Sequence, residues 1–224
     1  MWKEIWHVLR SSDTLLDEAR RDALGMLDLA QEMFELVLKA MVEEAQEDCI
    51  VRIARMDRVL NDQQQQIRKK VFEYLAVSKG SDLLGGLVLT SVVIDLERIG
   101  DYTKNIGEAV CLLPAKMEFG EYDVPYQSVV TRVRDLFRRT RDAFAERDAD
   151  GARASAEFYH GIKNDVDRLL QQIISVEEPD ETVEKWVLGL AFLLRYLKRA
   201  AAHLKNICTA ISNPFPAIGF KPEG

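Results

Sequence analysis

From Ala19 the apolar positions fall at Ala19, Ala23, Met26, Ala30, Met33 and Val37, in gaps that alternate between four and three residues. That spacing draws one apolar stripe along a helix packed lengthwise against other helices, and it predicts a first long helix over about 19–46. A second helix is predicted over 48–77, with Gln and Arg on its outer face, and the stretch Ser78-Lys79-Gly80-Ser81 interrupts it. A third, over 82–113, carries Leu89, Val92, Leu96, Ile99, Thr103, Ile106 and Val110 as its inward stripe.

Residues 114–125 mix Pro, Gly, Glu and Asp without a helical period and are expected to link two halves. The cycle then restarts, with helices expected over 126–147, 150–176 and 182–212, the last two parted by Glu177-Glu178-Pro179-Asp180. The expected fold is all-α: two tandem three-helix bundles of long, up-and-down antiparallel helices. The first spans 1–113 and includes a short amphipathic element, the second spans 126–212, and a tail over 213–224 with three prolines is expected to lie extended across a surface.

The chain also aligns with itself. Asp57-Arg-Val-Leu-Asn61-Asp62 lies over His160-Gly-Ile-Lys-Asn164-Asp165, and Leu96-Glu97-Arg98 through Asn105-Ile106 lies over Leu197-Lys198-Arg199 through Asn206-Ile207. Both matches are displaced by roughly a hundred residues, the mark of one supersecondary unit used twice.

Composition narrows the function classes. With 224 residues, 47% of them hydrophobic, there is apolar material for one large core or two small ones. A net charge of −7 and the absence of a dense Lys/Arg run leave no footprint for nucleic acid. Cys49, Cys111 and Cys208 are far apart and odd in number, which points away from a disulfide framework or a zinc site and toward a reducing cytoplasm. The first residues lack the apolar core and cleavage site of a secretory signal, and no segment is long and apolar enough to span a bilayer. Membrane contact is expected to be peripheral, through partners. Trp2, Ile5, Trp6 and Leu9 make a short amphipathic start, expected to fold back onto the bundle.

The candidate chemistry lies in the third helix. Glu97, Asp101 and Asn105 stand four residues apart, so successive turns align them beside the apolar stripe. Asp57 and Asn61 repeat the spacing on the preceding, antiparallel helix, and the two oxygen-rich columns are expected to converge. Carboxylate and amide oxygens are hard ligands that favour magnesium, manganese, calcium or iron, and neither column holds Cys or His. On spacing alone, an acidic pair beside Arg98 and Lys104 is more often a solvated helix face with local ion pairs.

The run Asp95-Leu-Glu97-Arg98-Ile-Gly100-Asp101-Tyr-Thr-Lys104-Asn105-Ile106 resembles the signature of the PhoU family. The resemblance implies two three-helix bundles with this motif on the third helix of each and a companion acidic motif on the second. It implies a divalent or trivalent metal ion held by Glu97, Asp101, Asp57, Asn61 and Asn105, with iron, manganese, magnesium or zinc as the candidates. It also implies a cytoplasmic, dimeric regulator that represses the phosphate-starvation response and couples a phosphate transporter subunit to a sensor histidine kinase.

The second copy departs from the signature: Lys198 stands at the place of Glu97, Ala202 at that of Asp101, and His160 at that of Asp57. The expectation is that this half holds no metal and that the Lys198 ammonium pairs with Asp165 or Asp167 in its stead. Two other classes stay open. A metal-free helical scaffold would share every element above. A di-metal carboxylate enzyme needs paired Glu-x-x-His motifs, and Glu4/His7 and Glu157/His160 sit too far apart along the chain to share a site. No phosphate-cradling Gly-rich loop and no nucleophile with an evident base is visible, so the expectation is a protein without enzymatic activity.

Overall fold

The apolar stripes close into six long helices in a computed structural model that describes residues 12–42, 46–78, 82–113, 118–175 and 181–220. They are α1 (Ser12–Val42), α2 (Gln46–Val77), α3 (Leu83–Leu112), α4 (Asp123–Glu146), α5 (Ala149–Ile174) and α6 (Glu181–Ser212). No strand occurs among the described residues. The amphipathic start at Trp2–Leu9 lies outside the described residues, as do residues 114–117 of the predicted linker, whose remainder forms a 3-10 turn at Gly120–Tyr122 and the start of α4.

The predicted stripe of α1 is its buried face: Ala19, Ala23, Met26, Ala30, Met33 and Val37 are all inaccessible to solvent. Ala at three of these places brings the neighbouring helices close, and Met and Phe34 fill the wider spaces. Helices α1–α3 pack on one another, as do α4–α6, and the broadest interface of all joins α3 to α6 across the two halves. Most of the apolar interior is accordingly one continuous cluster running through both bundles, with Ala143, Ala152 and Cys208 packed apart from it. Phe34 of α1 meets Phe137 of α4 with ring centroids 5.3 Å apart, inside that shared core.

Helix ends follow local chemistry. Asp148 caps α5, its carboxylate accepting from the backbone N–H groups of Asp150 and Gly151 at 3.1 and 3.0 Å. Arg147 before it ends α4 in the left-handed conformation, φ 56°, so only two residues separate the helices. Helix α4 begins at Asp123, three residues before the predicted start. Pro125 is tolerated in the first turn, where its N–H has no helical partner, and Asp123 favours that end electrostatically.

Over residues 213–220 the tail is compact where a segment extended across a surface was expected. Phe215–Ala217 form a 3-10 turn, and the Asn213 side chain donates to the carbonyls of Ala217 and Phe220, both at 3.1 Å. Proline stops the helix here, but the local hydrogen bonds of Asn213 fold the segment back toward α6.

A ladder of ion pairs runs along the α1–α4 contact. Arg134 pairs with Glu35, Arg141 with Asp28 and Arg147 with Asp17, at 2.7, 2.7 and 3.4 Å. All six side chains are substantially exposed, so each pair contributes below about 1 kcal/mol and serves mainly to fix register.

Candidate functional site

Glu97 and Asp101 lie one turn apart on α3, and Asp57 of α2 is near enough for its charge to act on Glu97. Gly100 sets this approach. A Cβ there would meet Leu60 Cδ1 at 2.5 Å, so α2 and α3 come together at a place where α3 has no side chain. Asp57 is 8% exposed, the one carboxylate among the described buried residues.

Burial, above all, raises the proton affinity of the Glu97 carboxyl, and the negative charge of Asp101 raises it further. Asp57 adds to the same effect, while Arg98 and Arg68 oppose it. Two cations already attend the group. Arg98 donates to Asp101 at 2.8 Å and sits 3.5 Å from Glu97, and Lys104 Nζ lies 3.5 Å from Asp57, bridging α3 to α2. Both cationic side chains reach solvent, with 53% and 37% of their surface exposed.

The structure thus brings Asp57, Glu97 and Asp101 into one electrostatic neighbourhood. Among the described residues, no three His, Cys, Asp or Glu side chains are grouped tightly enough to hold a metal ion as they stand. Asn61 and Asn105 are half-buried one turn further along α2 and α3, and neither hydrogen-bonds to the three carboxylates. In donor chemistry the group suits a hard cation: oxygen ligands only, partly desolvated and mutually repulsive.

The matching place in the second half is reversed in charge. Lys198 bonds to Asp167 of α5, and Lys163 bonds to the same carboxylate at 2.9 Å. Lys198 first, then Lys163, hold the Asp167 carboxyl well below its ordinary range. Asp165, the other expected partner of Lys198, is engaged instead by Arg132 of α4 and by Arg168 at 2.7 Å.

One functional-looking cluster carried no sequence signal. Asp95 of α3 accepts from Asn206 at 2.9 Å and meets His203 Nδ1 at 2.6 Å, both on α6. Arg199 donates to the Tyr102 hydroxyl at 3.1 Å and lies over its ring. These partners stand about a hundred residues apart in the chain, so helical periodicity is silent about them.

Residues 23–110 and 127–211 each match the PhoU domain. The chain belongs to the PhoU family. The phosphate-specific transport system accessory protein PhoU homolog of Pseudomonas putida is 27% identical over 203 residues, 90% of this chain and 79% of that protein. The PhoU homolog of Pseudomonas aeruginosa is 24% identical over 207 residues, 92% of this chain and 85% of its own length. The crystal structure of PhoU from Pseudomonas aeruginosa superposes with a TM-score of 0.80 at 23% identity, covering 89% of this chain and 96% of the other. That of the phosphate transport system regulatory protein PhoU from Streptococcus pneumoniae gives 0.78 at 23%, covering 89% and 94%. The fold, a tandem helical bundle, is that of the solved PhoU structures.

Proposed function

We propose that this chain is a cytoplasmic accessory regulator of phosphate uptake, without catalytic activity of its own. In this reading it contacts a phosphate transporter subunit and a sensor histidine kinase, and keeps the phosphate-starvation response silent while phosphate is plentiful. The observation that carries the reading is the pair of PhoU domains over residues 23–110 and 127–211, the first with its acidic motif from Asp95 to Asn105. No described helix is long and apolar enough to cross a membrane, in keeping with contact through partners.

The first-half carboxylates are the proposed metal site. Asp57, Glu97 and Asp101 would hold a divalent or trivalent cation, with the amide oxygens of Asn61 and Asn105 in reserve. When bound, the ion would supply positive charge that ties α2 to α3 and offers a partner's anionic group a point of attachment. Arg98 and Lys104 then act as stand-ins that neutralise the carboxylates in the metal-free protein, and their exposed heads are free to swing outward.

Partner docking is proposed for α3. Leu84, Leu87 and Ile94 lie along one line of the helix and are 59%, 39% and 40% exposed. Such a line suits contact with the transporter or with the second copy of a homodimer.

A second reading, the metal-free scaffold, is favoured by one observation: Arg98 and Lys104 already balance much of the negative charge. The test of the function itself is genetic. Deleting the gene should raise transcription of starvation-induced genes in phosphate-replete medium, and unchanged silence would contradict the regulatory role.

A further inference from the structure

A cleft lies beside the second-half counterpart of the carboxylate group. It has a volume of about 340 Å³ and is bounded by α5, α6 and the returning tail. His160 and Ala202, the residues matching Asp57 and Asp101, both line it, and so does Lys205, the match of Lys104. Loss of a carboxylate at Ala202 removes both volume and negative charge from this place.

The lining carries three cations, Arg153, Lys163 and Lys205, and one carboxylate, Glu157; Arg153 also pairs with Asp150 and Lys163 with Asp167, both just outside the cleft. Lys205 is the least ordinary of them. Its Nζ donates to the Gly219 carbonyl at 2.6 Å and lies over the Tyr159 ring, and it forms no ion pair with a carboxylate among the described residues. Burial lowers its proton affinity. Gly219 takes φ 86°, a conformation open to glycine, and its N–H donates to Thr209 at 2.8 Å, which pins the tail against α6 as a wall. Phe220 forms part of that wall and is 70% exposed.

From this geometry we infer that the second half binds a small organic phosphate of nucleotide size. Its phosphate sits beside Lys205 and Lys163, its planar body rests against Phe220, and Arg153, ten residues from Lys163 on α5, adds positive charge further along the cleft. Such binding depends neither on the metal site nor on the role in phosphate uptake. A cleft of this volume falls in the range of small-ligand sites and is several times larger than inorganic phosphate needs. The exposed aromatic ring beside the cations gives a nucleobase a stacking surface. An anion would also give the half-buried Lys205 ammonium a direct counter-charge, where it now feels the Asp95 carboxylate without pairing with it.

Calorimetric titration of the full chain with AMP, adenosine and inorganic phosphate tests this. AMP should bind, with affinity falling as salt rises, at least tenfold tighter than adenosine or inorganic phosphate. Lys163→Gln, Arg153→Gln and Phe220→Ala should each weaken AMP at least fivefold with unchanged circular dichroism. Lys205→Met is the stronger perturbation but loosens the tail, so the three exposed-residue variants decide the outcome. No AMP binding at millimolar concentration, equal binding of adenosine or of inorganic phosphate, or AMP binding indifferent to all three variants would overturn the inference.

Discussion

Tyr102 and His203, which hold matched positions in the two halves of the chain, stack on one another with ring centroids 5.5 Å apart and planes 23° from parallel. The duplicated motifs therefore meet at the centre of the molecule, where α3 crosses α6. Asp95 fixes the crossing by accepting from His203 and Asn206 together.

Removing that acceptor leaves two side chains of α6 without their partner at a largely buried place. Asp95→Ala should destabilise the protein by about 2 kcal/mol, measured by urea unfolding, with Asp95→Asn closer to the original.

Because the apolar cluster runs through both bundles, the halves should unfold together. Phe137→Ala, which removes the ring packed on Phe34, should lower stability by roughly 3–5 kcal/mol while leaving a single transition. Two separated transitions in calorimetry would contradict a shared core.

Asp167 supplies a pH dependence. Its carboxyl lies below its ordinary range when folded, so it contributes stability that is present above the unfolded carboxylate pKa and is lost as pH falls through the folded value. Asp167 is about a third exposed, so solvent screening limits the contribution to below about 1 kcal/mol. Lys198→Met should remove part of it, making thermal stability fall less between neutral pH and pH 3 than in the unaltered chain.

Glu97 has the opposite sign. Its carboxyl titrates above the ordinary range, so its ionised form opposes folding, and that penalty disappears as pH falls through the raised value. In metal-free protein at neutral pH, Glu97→Gln should raise stability by roughly 0.3 kcal/mol, the scale of a like-charge pair one turn apart. The same variant should lose any stabilisation by added divalent cation.

Docking through α3 predicts a surface effect without a folding effect. Leu87→Glu should abolish co-purification with the transporter subunit, or halve the mass in solution if a second copy sits there, at unchanged melting temperature. Retention of both contacts would remove α3 from the docking surface.

Much of this architecture is written in short-range pattern. The stripe from Ala19 to Val37 and the breakers at Ser78–Ser81 and Glu177–Asp180 determine helix type and number, because burial every three or four residues is a local property. The substitution of Lys198 for an acid pointed to Asp165 or Asp167, and the structure pairs it with the second of these, Asp165 being taken by Arg132 and Arg168. Asp95 with His203, Arg134 with Glu35 and the folding back of the tail onto Lys205 were not legible. Each depends on how whole helices are set against one another, which no window of a single helix encodes. The carboxylate group lies between these cases: its columns were visible as spacing, but the attending Lys104–Asp57 contact required the crossing at Gly100.

The central claim is that the first half holds a metal ion with Asp57, Glu97 and Asp101 while the second half supplies its own cation in Lys198. Elemental analysis of protein purified without chelator tests it most directly. The account predicts stoichiometric iron, manganese, magnesium or zinc that is lost in Asp101→Ala and unaffected by Lys198→Met. Metal-free protein whose melting temperature ignores added cations would contradict it.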